Sequence, residues 1–112
     1  MSHFPYCGAF VLLTASVLFA CSQPQTPSSV ELSNRLMQSY TVYCKACHES
    51  AVSGAPITHR QADWRPRISK GWKRLTDNTE NGIGGMPPLG QCFECSREDL
   101  EILIQFMASP ND

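Results

Sequence analysis

The sequence predicts a small all-α domain, and three observations carry that prediction. Apolar residues recur at helical three-to-four spacing in three runs, each preceded by a capping residue. No run alternates with the period of two that marks a strand. The folded part, residues 30–112, is a single stretch too short to bury a robust core without a cross-link, metal or cofactor.

The first helix is expected over residues 29–46. Ser28-Ser29-Val30-Glu31 fits a capping box, with Ser28 capping and Glu31 reaching back. Leu32, Leu36, Tyr40 and Tyr43 then share one face, and Met37 beside them reads as core. Asp63 is placed to cap a second helix, with Pro66 tolerated in its first turn and Trp64, Arg67, Ile68, Gly71 and Leu75 at helical spacing. Asn81 to Gly90 holds four glycines and two prolines, a shaped loop. Ser96-Arg97-Glu98-Asp99 is another capping box, ahead of Leu100, Leu103, Ile104, Phe106 and Met107, and Pro110 stops that last helix. The terminal helices are free to pack on each other.

Residues 1–20 contain no Lys, Arg, Asp or Glu, and Phe10 to Ala20 is mostly apolar. Eleven helical residues reach roughly 16 Å, about half a bilayer core, so this reads as the apolar region of an export signal. Leu18-Phe19-Ala20-Cys21-Ser22 resembles a bacterial lipobox, in which Cys21 is lipidated and becomes the first mature residue; only His3 offers positive charge upstream, where Lys or Arg is usual. Residues 21–29, rich in Gln, Pro, Ser and Thr, form a tether with nothing to bury. Cys7 is lost with the signal. The resulting expectation is a bacterial periplasmic protein anchored to the membrane by lipid on Cys21. The formal charge of -1 gives no basic excess for a nucleic-acid surface.

Chemistry concentrates at Cys44-Lys45-Ala46-Cys47-His48, a C-x-x-C-H. Two thiols on one helical turn can each add to a vinyl group of one porphyrin, and the following imidazole is then aimed at the iron, which is the attachment pattern of haem c. Met86, within Gly85-Met86-Pro87-Pro88, can bring a thioether to the other face, so His48 and Met86 are the candidate axial ligands. Met37 and Met107 are rival thioethers but lie in helical apolar stripes. Trp64 and Arg67 are candidates to hold a haem propionate or wall the ring, since a buried carboxylate needs charge-assisted donors. Trp72 is either haem wall or partly exposed. Lys45, Lys70, Lys73 and Arg74 could form a basic rim that steers an acidic partner, or a solvated face.

A second pair, Cys92 and Cys95, lacks a following His and so marks no second haem. Together the two pairs could hold a structural zinc. A single pair could be a thioredoxin-like dithiol. A disulfide between Cys92 and Cys95 would close a tight loop and fix the chain leaving the Met86 segment.

From Leu32 to Met107 the chain resembles a class I c-type cytochrome of the cytochrome c5 subgroup. The matching stretches are Tyr43 to His48, Ser53-Gly54-Ala55-Pro56, Asp63-Trp64 with Arg67, Gly71 and Leu75, Met86-Pro87-Pro88-Leu89-Gly90, and Cys92-Phe93-Glu94-Cys95. Leu89 and Gln91 depart from the Lys and Gly often found there. The resemblance implies a small all-α class I cytochrome c fold, its N- and C-terminal helices packed around one covalently bound haem. It also implies a low-spin His/Met iron, a Cys92–Cys95 disulfide, and the Pro56 backbone carbonyl as acceptor for His48. The expected function is single-electron transfer with membrane respiratory complexes or other periplasmic redox proteins, by a monomer without catalytic residues. Alternatives are a lipid-tethered structural zinc module and a haem sensor with a displaceable sixth ligand.

Overall fold

A single helical run, Asn34 to His48, carries the C-x-x-C-H at its end. A computed structural model describes residues 29–111; the expected signal (1–20), Cys7, Cys21, the tether up to residue 28 and the Ser28 cap lie outside the described residues. The run consists of α1 (Asn34–Ser39), a π-helical segment (Tyr40–Cys44) and α2 (Lys45–His48). It begins five residues later than the expected residue 29, with Ser33 as its cap: the Ser33 hydroxyl accepts from the Leu36 N–H at 3.3 Å. Met37 also departs from its expected place in the core and stands 41% exposed. At the π segment the Lys45 N–H reaches back to the Tyr40 carbonyl. One extra residue in the turn rotates the rest of the helix by roughly 100°. Leu36 and Tyr40 therefore face the core while Cys47 faces outward.

The second helical stretch is two helices. The first, α3, spans Gln61–Ile68, and α4 spans Trp72–Asn81. Gly71, at φ +97°, breaks the stripe from Trp64 to Leu75, a conformation an L side chain rarely adopts. Asp63 is not the cap of α3 but its third residue, because Arg60, in extended conformation, ends the preceding loop. Pro66 accordingly lies inside α3 rather than in its first turn.

The last helix, α5 (Arg97–Ala108), opens on the anticipated capping box: Ser96 Oγ accepts from the Asp99 N–H at 3.1 Å, and the Ser96 N–H donates to Asp99 Oδ2 at 3.0 Å. Its buried face, Leu100, Leu103, Ile104 and Met107, joins Leu36, Tyr40, Trp64 and Leu75 in one core. The terminal helices meet through Tyr40 and Phe106, edge to face with centroids 5.1 Å apart, and through Arg35, whose guanidinium grips Asp99 with bonds of 2.5 and 3.2 Å. Arg97 ties α5 to α4 through Asp77 and Glu80. The all-α fold class is as the sequence predicts; an isolated bridge, Ile83 with Met86, is the one β pairing among the described residues. Among those residues no helix is long and apolar enough to cross a membrane.

Candidate haem-binding site

His48 ends α2 with its ring buried, 6% exposed, and its Nδ1 lies 2.8 Å from the Pro56 carbonyl oxygen. A carbonyl only accepts, so Nδ1 carries the proton and Nε2 is left as the nitrogen with a free lone pair. Burial pushes the His48 pKa down, the Pro56 hydrogen bond pulls it up, and the positive charge of Arg67 lowers it further. A neutral imidazole with fixed tautomer is the form a metal ion binds.

The peptide segment facing His48 is held on every side. The Thr58 N–H donates to the His48 carbonyl at 2.7 Å, and the Tyr40 hydroxyl donates to Thr58 Oγ1 at 3.0 Å. The Ile57 N–H donates to Asp63 Oδ2 at 2.9 Å, and Trp64 Nε1–H donates to the Ile57 carbonyl at 2.8 Å. Further along, the His59 N–H reaches the Met107 carbonyl, His59 Nδ1 the Ser109 carbonyl, and the Gln61 amide the Ala108 carbonyl, at 2.7, 2.9 and 2.7 Å. The loop thus caps the C-terminus of α5 while it holds His48.

Cys44 and Cys47, both free thiols, sit one turn apart ahead of His48; Cys44 is half-buried and Cys47 exposed. Burial, with Cys47 beside it, pushes the Cys44 thiol up to about 11. A thioredoxin-like nucleophile needs the opposite, a lowered pKa at a helix start, and Cys44 lies within a helix. The sulfurs of Cys92 and Cys95 are bonded to each other, with Cα atoms 5.3 Å apart. Among the described residues no three His, Cys, Asp or Glu side chains gather to hold a metal ion, so the two cysteine pairs do not form the four-thiolate site of a zinc module.

Met86 stands half-buried in a loop pinned by its own backbone: Ile83 and Met86 exchange N–H···O bonds of 3.0 and 2.9 Å. Gly82 makes this possible, since a Cβ there would come within 2.8 Å of the Met86 carbonyl oxygen. A Cβ on Gly85 would lie 2.6 Å from Ser53 Cβ, so this loop abuts the Val52–Gly54 turn that comes after His48. Trp64 is buried with its ring 6.0 Å from that of His48 and nearly parallel to it. Its single N–H donates to the Ile57 carbonyl. Arg67 Nη1 donates to the Asp63 carbonyl at 2.6 Å. Trp72 is 44% exposed. Of the suggested basic rim, Lys45 pairs with Glu49 and Lys73 with Asp77.

The sequence reading missed Asp63, Tyr40 and Thr58 as supports of His48. All three bonds join residues through a loop whose path is not periodic, and Asp63 invited the simpler reading of a cap.

Two thiols one turn apart, a buried imidazole with Nε2 free, and a methionine in a pinned loop form a donor set that fits haem c. Fold and donor set together define a small class I c-type cytochrome. Residues 33–107 match the family model described as cytochrome c oxidase, cbb3-type, subunit III, and the chain belongs to that family. It is 37% identical over 68 residues to cytochrome c5 of Ectopseudomonas mendocina, covering 59% of this chain and 78% of that one. It is 34% identical over 68 residues to cytochrome c5 of Azotobacter vinelandii, covering 59% and 82%. Among solved structures it resembles a mono-haem ferrocytochrome c from Shewanella putrefaciens, with TM-score 0.61, 37% identity and coverage of 72% of this chain and 99% of that one. It also resembles a chain in an electron-transfer complex of nitrite reductase with cytochrome c, with TM-score 0.62, 27% identity and coverage of 70% and 95%. These relationships support a haem c cofactor and an electron-carrying, non-catalytic role.

Proposed function

We propose that the protein is a monohaem cytochrome of the c5 subgroup that passes single electrons between respiratory redox partners. Cys44 and Cys47 hold the haem covalently, and His48 and Met86 ligate its iron. The observation that carries this reading is the buried His48, its Nδ1 on the Pro56 carbonyl and its Nε2 free, directly after two free thiols. When bound, haem supplies a one-electron Fe(II)/Fe(III) couple. The chain's own residues do the rest. His48 donates a neutral nitrogen whose direction the Pro56 bond fixes; Met86 offers a soft sulfur from a loop that Gly82 lets close tightly; Trp64 and the core around it keep water from the His48 side.

Partners in this reading are other redox proteins, membrane respiratory complexes or soluble periplasmic enzymes. The oxidase-subunit family and the likeness to a chain in an electron-transfer complex of nitrite reductase with cytochrome c both support this. The signal-like residues 1–20 and Cys21 support periplasmic placement with a lipid anchor. Mass spectrometry and visible spectroscopy of the exported protein test the proposal. The expected results are one covalently added haem and a low-spin reduced spectrum with sharp α and β bands. A polypeptide without added haem would overturn it, and a high-spin spectrum would point instead to an open sixth position.

A further inference from the structure

The Pro56 carbonyl that accepts from His48 and the Ile57 N–H that donates to Asp63 belong to the same peptide group. The chain of bonds runs His48 Nδ1–H to Pro56 oxygen at 2.8 Å, across one C–N bond, then Ile57 N–H to Asp63 Oδ2 at 2.9 Å. We propose that Asp63 is a positioning residue that sets the electron-donating strength of His48 through the Pro56–Ile57 peptide. The inference rests on the haem ligation proposed above and deepens it.

The physical reason is cooperative polarisation. A carboxylate pulling on the N–H of an amide increases the negative charge on its carbonyl oxygen, which makes that oxygen a stronger acceptor. A stronger acceptor on Nδ1–H makes the imidazole a more basic ligand, as a directly bonded carboxylate does in metal sites. Here the carboxylate acts one peptide removed. Asp63 is ionised in this setting: the bonds from Arg60 and from the Ile57 N–H hold its carboxyl below the ordinary range. The geometry around the relay is rigid. Trp64 fixes the Ile57 carbonyl from one side, Thr58 bonds back to the His48 carbonyl, and Arg60 grips the same Asp63 oxygen with bonds of 2.8 and 2.7 Å. Arg60 therefore opposes the relay by drawing charge off that oxygen, which makes it a second adjustable element.

A more basic His48 favours Fe(III), and this gives the sign of the effect. Asp63→Asn keeps an oxygen for the Ile57 N–H but removes the charge, and is expected to raise the reduction potential. The expected size is about threefold to tenfold in the oxidation equilibrium, tenfold being 59 mV for one electron. Arg60→Gln frees the carboxylate and is expected to lower the potential. The full-length holoprotein is studied by redox titration at low and high salt, and by NMR of the reduced protein for the His48 Nδ1–H resonance. Support is an upfield move of that resonance in Asp63→Asn, a downfield move in Arg60→Gln, and potential shifts that survive high salt. Potential shifts that vanish in salt with the resonance unmoved would mean a through-space charge effect, screened beyond about 10 Å at 0.1 M, and would overturn the relay. A fall in melting temperature alone would make Asp63 merely structural and overturn it as well. Should Asp63→Asn fail to fold, Arg60→Gln decides by the same two readouts. Unsubstituted protein lacking haem would sink the ligation reading itself, whereas haem-loaded protein with an unresponsive His48 resonance sinks this inference alone.

Discussion

Acid should loosen the joint between the first and last helices, and Asp99 sets where. Its carboxylate accepts from Arg35 of α1, with bonds of 2.5 and 3.2 Å, and from the backbone N–H of Ser96 at 3.0 Å. The Arg35 bond, aided by the Ser96 N–H, holds the Asp99 carboxyl at about 2, against an ordinary 3.8. At 1.36 kcal/mol per pKa unit, that fall corresponds to about 2 kcal/mol. Arg35 is 62% exposed, however, and solvent screens an ion pair of this kind, so about 1 kcal/mol is the reasonable expectation. Because the folded pKa lies below the unfolded one, the contribution is complete above about pH 4 and is lost as pH falls from there towards 2. Asp99→Asn removes the charge, retains an oxygen for the Ser96 cap, and should lower stability by about 1 kcal/mol at pH 7. The assay is urea denaturation of wild type and variant at pH 7, 4 and 2.5. The gap between them should shrink as the wild-type carboxylate takes up its proton. A gap that stays constant across this range would refute the ion-pair argument and leave Asp99 as a cap alone.

Other substitutions probe the site and its frame. Met86→Ala should leave haem bound through Cys44 and Cys47 while changing its spin state and lowering its potential; an unchanged visible spectrum would exclude Met86 as ligand. Replacing Cys92 and Cys95 by Ser opens a loop of only four residues, so chain entropy limits the expected loss to about 2 kcal/mol, read by denaturant titration. Gly85→Ala drives a methyl group into Ser53, with a Cβ–Cβ approach of 2.6 Å, and should cost roughly 1–3 kcal/mol while disturbing the iron's spectrum through the Met86 loop.

The residues that carry periodic or local chemistry were legible in the sequence. Ser96 and Asp99 announce α5 because a capping box is a four-residue signal that nothing distant has to complete. The C-x-x-C-H and the Gly/Pro frame of Met86 are legible for the same reason. What escaped depends on competition between local alternatives. Ser28, Ser29 and Ser33 all precede the first helix, and sequence alone does not say that Ser33 wins. The π turn at Tyr40–Cys44 leaves no composition signature, yet it decides which way the thiols face. Gly71 fits a helical spacing as well as it fits a break, and only its positive φ shows the break.

The same distinction explains how the fold serves His48. The proposed ligand itself is marked by sequence, but its environment comes from three elements far apart along the chain. Tyr40 reaches the loop from the helix that carries His48, Asp63 and Trp64 hold it from α3, and the carbonyls at the end of α5 fasten its far end through His59 and Gln61. A small core of this size could not spare separate scaffolding for cofactor and helix ends. Using one loop for both couples them: the bonds that satisfy the orphan carbonyls of α5 also restrain the peptide that orients the imidazole. Packing of the last helix and geometry at His48 are then one structural variable. A substitution that frays α5 near Met107, a residue buried in the apolar core, should therefore be felt at His48, the proposed axial ligand.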